Sequence, residues 1–181
     1  SVVQFSCMKF SNKYQTLFKE IDFLRESNNI EDEWGDDELA QAILAWHYVI
    51  KQKTLTPSIV KQTHEILMLH LLKTSDRGSF RRGPVLISDR EGRPWYWLDG
   101  LMENWCKAVM QLVNGGKAVA TPEAQEVFIK NHHVQYETIH PFIDGNGRTG
   151  RIFMNWQRVK MGLPILVIRE AEKQKYYEWF R

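Results

Sequence analysis

The chain has 181 residues, 24 Lys and Arg against 22 Asp and Glu, a formal net charge of +2 and 43% apolar residues. That is enough chain for one folded domain with a real core, and too apolar for a disordered one. A near-neutral balance argues against direct nucleic-acid binding as the main task, which needs a concentrated positive surface.

Tyr14, Leu17, Phe18, Ile21 and Leu24 recur at helical spacing and predict a helix through about Arg25. Asp36 and Asp37 open a second helix that carries Leu39, Ile43, Trp46 and Val49–Ile50. Thr56-Pro57 supplies an N-cap with proline in the first turn, and Ile59, His64, Ile66–Leu67 and Leu71 continue that third helix. Residues 74–98 are punctuated by Gly78, Gly83, Pro84, Gly92 and Pro94. Within them Val85-Leu86-Ile87 and Trp95-Tyr96-Trp97 flank a polar stretch, which reads as a hairpin. Helical spacing resumes at Leu98, Leu101, Met102, Trp105 and Val109, with a C-cap expected at Asn114-Gly115-Gly116. Thr121-Pro122 starts a helix through Ile139, a glycine-rich turn follows at 144–150, and a helix through Val159 is ended by Gly162 and Pro164. A last helix is expected from Lys173 to Phe180.

The sum is a mainly α protein with one short hairpin. Residues 1–35 form an N-terminal segment and 36–181 one compact core. Cys7 and Cys106 stand far apart and make no metal spacing, so a reducing, cytoplasmic setting is expected. No run reaches the roughly 18 apolar residues of a membrane span, so no membrane partner is expected.

The run from His140 to Arg151 carries the chemistry. Gly145 and Gly147 allow close backbone approach or positive φ at a helix start, where successive amides and the helix dipole favour an anion. Arg148 and Arg151, three apart, add two guanidinium forks suited to a polyphosphate. Asp144 is a hard carboxylate of the kind Mg²⁺ takes beside phosphates, and His140 can accept a proton near neutral pH. Base, metal ligand, phosphate nest and two clamps in one short run fit phosphoryl or nucleotidyl transfer.

The same run resembles the Fic family motif, HPFx(D/E)GNGRxxR, at every specified position. Gly-Ser-Phe-Arg at 78–81, Val85–Ile87 and the Pro-Trp-Tyr segment also resemble that family's flap hairpin, and the helices between Asp36 and Leu72 its core order. The resemblance implies a Fic-type helical bundle that transfers AMP from ATP, with Mg²⁺, to a Ser, Thr or Tyr hydroxyl of a target protein. It makes His140 the base and Asp144 the metal ligand. Gly145, Asn146, Gly147 and Arg148 would cradle the α- and β-phosphates, Arg151 would reach the γ-phosphate, and Phe142 would anchor the loop. Val85, Leu86, Ile87 and Ser88 of the flap would pair with an extended target segment.

Ser27 and Glu31 resemble the family's inhibitory motif, (S/T)xxxE(G/N), placed after the first helix, while Asp32 departs from it. A glutamate paired with Arg151 would occupy the γ-phosphate clamp. If Glu31 also orients a water, the same site could remove AMP, and the residues do not choose between these directions. Two alternatives stand beside AMP transfer: a kinase-like or other phosphate-group transferase on the same scaffold, and a nucleotide- or partner-binding module without turnover. His132 and His133 read as surface plus core, and His47, His64 and His70 as core-edge or surface.

Overall fold

A computed structural model describes residues 2–87, 90–119 and 121–181, with side chains for 14–87, 90–115 and 121–181. Helix α1 spans Val2–Ile30, α2 Asp36–Ile50 and α3 Pro57–Leu67; a two-stranded hairpin follows, β1 Leu86–Ile87 and β2 Arg90–Glu91. Then come α4 (Leu98–Val119), α5 (Pro122–Ile139), α6 (Asn146–Met161) and the short α7 (Lys173–Tyr177). Among the described residues the architecture is mainly α with one small antiparallel hairpin, and no described helix is long and apolar enough to cross a membrane.

Helix α6 is the axis. It packs against α5, α4, α3, α2 and α1, and all but a few of its side chains are buried, including Ile152, Phe153 and Trp156. A helix surrounded on so many sides must carry its polar residues inward with partners, and α6 does: Asn155 Nδ2 donates to the Leu166 carbonyl, Leu166 N donates back to Asn155 Oδ1, and Arg158 Nε donates to the Pro164 carbonyl. Trp46 and Val49 from α2, Val60 and Leu67 from α3, Met102 and Val109 from α4 and Tyr136 from α5 complete the main core. Burial of this set is the dominant stabilising term.

The caps follow their sequence signals. Thr56 Oγ1 accepts from Ile59 N at 3.3 Å with Pro57 in the first turn, and Thr121 Oγ1 accepts from Ala124 N at 3.3 Å with Pro122 there. Gly162 ends α6 with φ 81°.

Four boundaries depart from the sequence expectation. First, α1 runs on to Ile30, which is buried with Met154 and Ile168, so Ser27 lies in its last turn and not after it. Second, the described hairpin is shorter than expected: Leu86 faces Glu91 and Ile87 faces Arg90. Trp95–Trp97 form a 3-10 turn after Pro94 that leads into α4. Third, α4 continues through Asn114-Gly115-Gly116. A helix interior tolerates glycine at a cost near ~1 kcal/mol each, and a Cβ at Gly115 would meet nothing, so no turn is imposed there. Fourth, the last helix is only α7 flanked by 3-10 turns at Glu170–Glu172 and Glu178–Phe180.

Candidate active site

The loop between α5 and α6 is shaped by two left-handed residues. His140, the C-cap of α5, has φ 50°, and Gly145, the N-cap of α6, has φ 75°. Between them the chain folds back on Phe142, which is fully buried. Asn146 locks this fold: its Nδ2 donates to the Phe142 carbonyl at 2.9 Å, and Phe142 N donates to its Oδ1 at 2.9 Å. The Asn146 side chain is therefore spent inside the loop, and its backbone is what remains for a ligand. Thr149 Oγ1 donates to the Gly145 carbonyl at 2.8 Å and sits 2.9 Å from the Tyr136 hydroxyl, closing the turn from below.

His64 braces the loop from α3. Its ring stacks on Phe142 with centroids 3.7 Å apart and planes 5° apart. Gly78 N donates to its Nδ1 at 2.9 Å, and its Nε2 lies 3.0 Å from the Asp144 carbonyl. A carbonyl only accepts, so Nε2 carries the proton and Nδ1 is the acceptor. Both nitrogens are committed to the neutral ring, and burial lowers the His64 pKa to about 4. Sequence reading placed His64 at a core edge or surface; it is wholly buried beside the loop.

A cavity of about 810 Å³ opens over this loop. His140, Asp144, the backbone from Gly145 to Gly147, Arg148 and Arg151 all line it, together with Glu31 from the end of α1, Glu137 from α5, Ile87 and Arg90 from the hairpin and Tyr176 from α7. The amides of Asn146, Gly147 and Arg148 begin α6 and have no intrahelical acceptor, so the cavity floor is the positive end of a helix. His140 Nδ1 lies 3.3 Å from the Glu137 carbonyl, which selects the Nδ1–H tautomer and leaves Nε2 as the basic nitrogen. Burial lowers the His140 pKa below its ordinary value, against the raising pull of the Glu137 carbonyl; nearby Arg81 lowers it further, while Asp144 and Glu31 raise it. The ring is thus neutral at neutral pH.

Asp144 Oδ1 accepts from Gly145 N at 2.6 Å, and its Oδ2 stands 3.5 Å from Arg148 Nη2. Arg148 and Arg151 are 3% and 2% exposed, so neither belongs to a solvated charge face. Arg151 is fully engaged. Its Nε donates to Ser27 Oγ at 2.9 Å, Nη2 donates to the Ser27 carbonyl at 2.8 Å and to Glu31 Oε1 at 2.6 Å, and Nη1 donates to the Tyr176 hydroxyl at 3.2 Å. The guanidinium thereby caps the last turn of α1, where free carbonyls and the negative dipole end favour a cation. Asp32 has φ 60°. The position that departs from the Gly/Asn pattern thus adopts the left-handed backbone those residues favour, which Asp also tolerates.

Gly147 leaves room for the ion pair above it: a Cβ there would press on Glu31 Oε1 and lie 3.0 Å from Arg151 Nη1. Glu137 also lines the cavity, and its Oε1 is buried with no hydrogen-bond partner among the described residues. Burial pushes its carboxyl up to about 8, against the pull of Arg151 and with a further push from Glu31. His133 Nε2 lies 2.8 Å from the Tyr176 hydroxyl, which joins α5, α6 and α7 behind Arg151. His132 is half-buried against Gln157 Oε1 at 2.8 Å, so this pair splits between a partly covered and a buried position.

Val85–Ile87 stand on the hairpin beside the cavity mouth, where Ile87 lines it; Ser88 lies outside the described residues. The neighbours of the site that sequence reading missed are Glu137 and Tyr176, which line the cavity, and His64 and Arg81, which hold the loop from outside it. Their signal was weak because each lies outside the 140–151 run and reaches the site only through the fold.

A bundle of this shape around a His-Pro-Phe loop and a bared helix N-terminus defines a class of protein. The profile of the Fic/DOC family matches residues 54–157, and the chain belongs to that family. The curated protein adenylyltransferase Fic of Drosophila erecta is 43% identical over 49 residues, which cover 27% of this chain and 10% of that relative's length. The chain also superposes on a Fic-domain signaling protein from Bacteroides thetaiotaomicron with a TM-score of 0.75 at 19% identity, covering 93% of this chain and 72% of the other. Fic-1 from C. elegans gives a TM-score of 0.71 at 13% identity, covering 92% and 56%. These two likenesses concern the fold.

Proposed function

We propose that the chain is an ATP-dependent protein adenylyltransferase held down by the end of its own N-terminal helix. The observation that carries the reading is convergence on one cavity: His140, Asp144, the unpaired amides of α6, Arg148 and Arg151 all face it. The short match to an adenylyltransferase supports AMP as the transferred group.

In this reading the triphosphate lies over the amides of residues 146–148, with Arg148 and Arg151 neutralising its outer charge. An acceptor hydroxyl comes to His140 Nε2. Its proton passes to that nitrogen as its oxygen bonds to the α-phosphorus. The bond from that phosphorus to the pyrophosphate oxygen breaks, and pyrophosphate leaves with the electron pair. Asp144 offers a single carboxylate at the cavity wall, with side-chain exposure of 58%. That donor set suits Mg²⁺, which usually arrives with phosphate oxygens and takes one or two protein carboxylates. Asp144 would hold the ion, and the ion would supply charge neutralisation on the phosphates.

Among the described residues β1 pairs on one edge only. The other edge is available to an extended target segment, which supports docking along Val85–Ile87, with Ser88 extending it. Glu31 Oε1 sits on Arg151 Nη2 at the cavity, so a γ-phosphate can reach that arginine only after Glu31 withdraws. A cytoplasmic setting fits a reaction that draws on ATP and targets protein hydroxyls.

The test is incubation of wild type and Glu31→Gly with ATP labelled at the α- or the γ-phosphate, followed by mass spectrometry of the chain and of added proteins. An adenylate adduct stronger in Glu31→Gly and lost in His140→Ala is expected. Transfer of γ-label alone, or no adduct from Glu31→Gly, overturns the reading.

A further inference from the structure

Arg81 is a buried cation without a carboxylate. It is 7% exposed, and among the described residues no ion pair involves it. Its partners are all carbonyl oxygens. Nε donates to the His140 carbonyl at 2.7 Å, Nη1 to Gly83 at 2.7 Å, and Nη2 to Arg93 at 2.5 Å and to Ile139 at 3.3 Å. Its backbone N–H donates to the Pro141 carbonyl at 2.9 Å.

These acceptors belong to two structures. Ile139, His140 and Pro141 are the end of α5 and the start of the catalytic loop. Gly83 and Arg93 are the two legs of the hairpin, one before β1 and one after β2. A helix C-terminus presents unpaired carbonyls and a negative dipole end, so a cation there is favourable. His140 has a left-handed backbone that L-residues adopt reluctantly, and the fork grips its carbonyl and that of Ile139. Phe80, the preceding residue, packs on Phe142 with centroids 5.4 Å apart, which seats the fork from the other side. Gly92 leaves room for it: a Cβ there would lie 3.1 Å from Arg81 Nη2 and 2.6 Å from Val85 Cγ1.

We propose that Arg81 is a positioning residue that ties the base of the flap to the backbone of His140, so that the acceptor's docking edge and the proton-accepting imidazole are set by one guanidinium. This rests on the adenylyl-transfer reading for its catalytic consequence, and on the hydrogen bonds above for the tie itself. Lysine cannot replace it, because a single ammonium lacks the planar fork that reaches both structures at once. Arg81 does not line the nucleotide cavity, so its loss should spare ATP binding.

The experiment compares Glu31→Gly with Glu31→Gly carrying Arg81→Lys. Turnover should fall on the order of 100-fold, the scale expected when a general base is displaced. The Kd for ATP by calorimetry should change by less than about twofold, a split that general loss of structure would not give. Hydrogen exchange should accelerate together in peptides covering 139–145 and 83–94, and not in α2 or α3. Unchanged turnover, an equal loss of ATP affinity, or faster exchange in only one of the two segments overturns the proposal. If Arg81→Lys does not fold, Gly92→Ala takes its place; a Cβ there presses on Val85 Cγ1 as well as on Nη2, so its readout is hydrogen exchange at 139–145, which should accelerate through the guanidinium, and unchanged exchange there overturns the tie. Absence of any adduct from the parent Glu31→Gly would instead reject the adenylyl-transfer reading, and the exchange result would then judge the tie alone.

Discussion

Glu31 Oε1 and Arg151 Nη2 meet at 2.6 Å across 120 positions of sequence. The arginine is 2% exposed and the glutamate side chain 33%. Such a contact stabilises the fold and withholds the arginine from any other anion. Glu31→Gly should therefore move two quantities in opposite directions. Truncating one partner of a buried ion pair leaves a charge less well matched, but Ser27 and Tyr176 still hold Arg151, so a stability loss of roughly 1–2 kcal/mol is expected. ATP affinity and self-adenylation should rise. Thermal unfolding with and without ATP checks both, since nucleotide should raise the melting temperature of Glu31→Gly more than that of wild type.

The run from His140 to Arg151 was legible as one candidate site because its residues are contiguous, and the fold does bring them to one cavity. His140, Asp144, the glycines and both arginines fall within twelve positions, and a short loop plus one helical turn brings them together without long-range information. The Thr-Pro caps were legible for the same local reason. Arg81 and His64 were not. Arg81 read as the end of the flap-like Gly-Ser-Phe-Arg stretch, and its contacts are carbonyls 58 and 59 positions away. His64 meets the Asp144 carbonyl 80 positions on. Sequence patterns carry periodicity and turn chemistry, and they do not say which buried polar group satisfies which. The Gly115-Gly116 pair misled because glycine permits a helix end without imposing one, and α4 runs on through both.

His64 makes a prediction about acid. Its folded pKa is about 4, lowered by burial from an ordinary 6.5. Between those values the unfolded chain binds a proton that the folded chain refuses, so stability falls as pH falls through this window. His133, lowered to about 3 first by burial and then by Arg151, acts in the same direction. His64→Gln can still donate and accept, and it should flatten the slope of unfolding free energy between pH 6.5 and 4 by up to about 1.4 kcal/mol per pH unit. Urea titrations at several pH values measure it, and an unchanged slope would show that His64 is not held neutral.

Glu137 predicts the opposite sign. Burial raises its carboxyl from 4.5 to about 8. Above pH 4.5 the unfolded chain releases a proton that the folded chain keeps, so this group costs stability as pH rises toward 8. Glu137→Gln removes that cost. The variant should gain on the order of 1–3 kcal/mol over wild type near pH 7, with the gain vanishing near pH 4. Denaturant unfolding at the two pH values is sufficient, and a loss at pH 7 would mean that Glu137 is ionised and paired.

Gly145 and Gly162 sit at the two ends of α6 with φ of 75° and 81°. Alanine at either should cost about 1–2 kcal/mol for the left-handed backbone alone. Their surroundings differ. A Cβ at Gly162 would meet nothing within 4 Å, whereas at Gly145 it would lie 2.7 Å from Met68 Sδ. Met68 is fully buried and can yield only by pushing on the core. Gly145→Ala should therefore lose more stability than Gly162→Ala. It should also shift the amides of residues 146–148, since the start of α6 hangs on this turn. Gly162→Ala should bind ATP as the parent does, in the Glu31→Gly background, while Gly145→Ala should bind at least about tenfold more weakly, a loss of about 1.4 kcal/mol. Calorimetry on the two variants decides it: equal ATP affinities would mean that the helix start does not hold the phosphates.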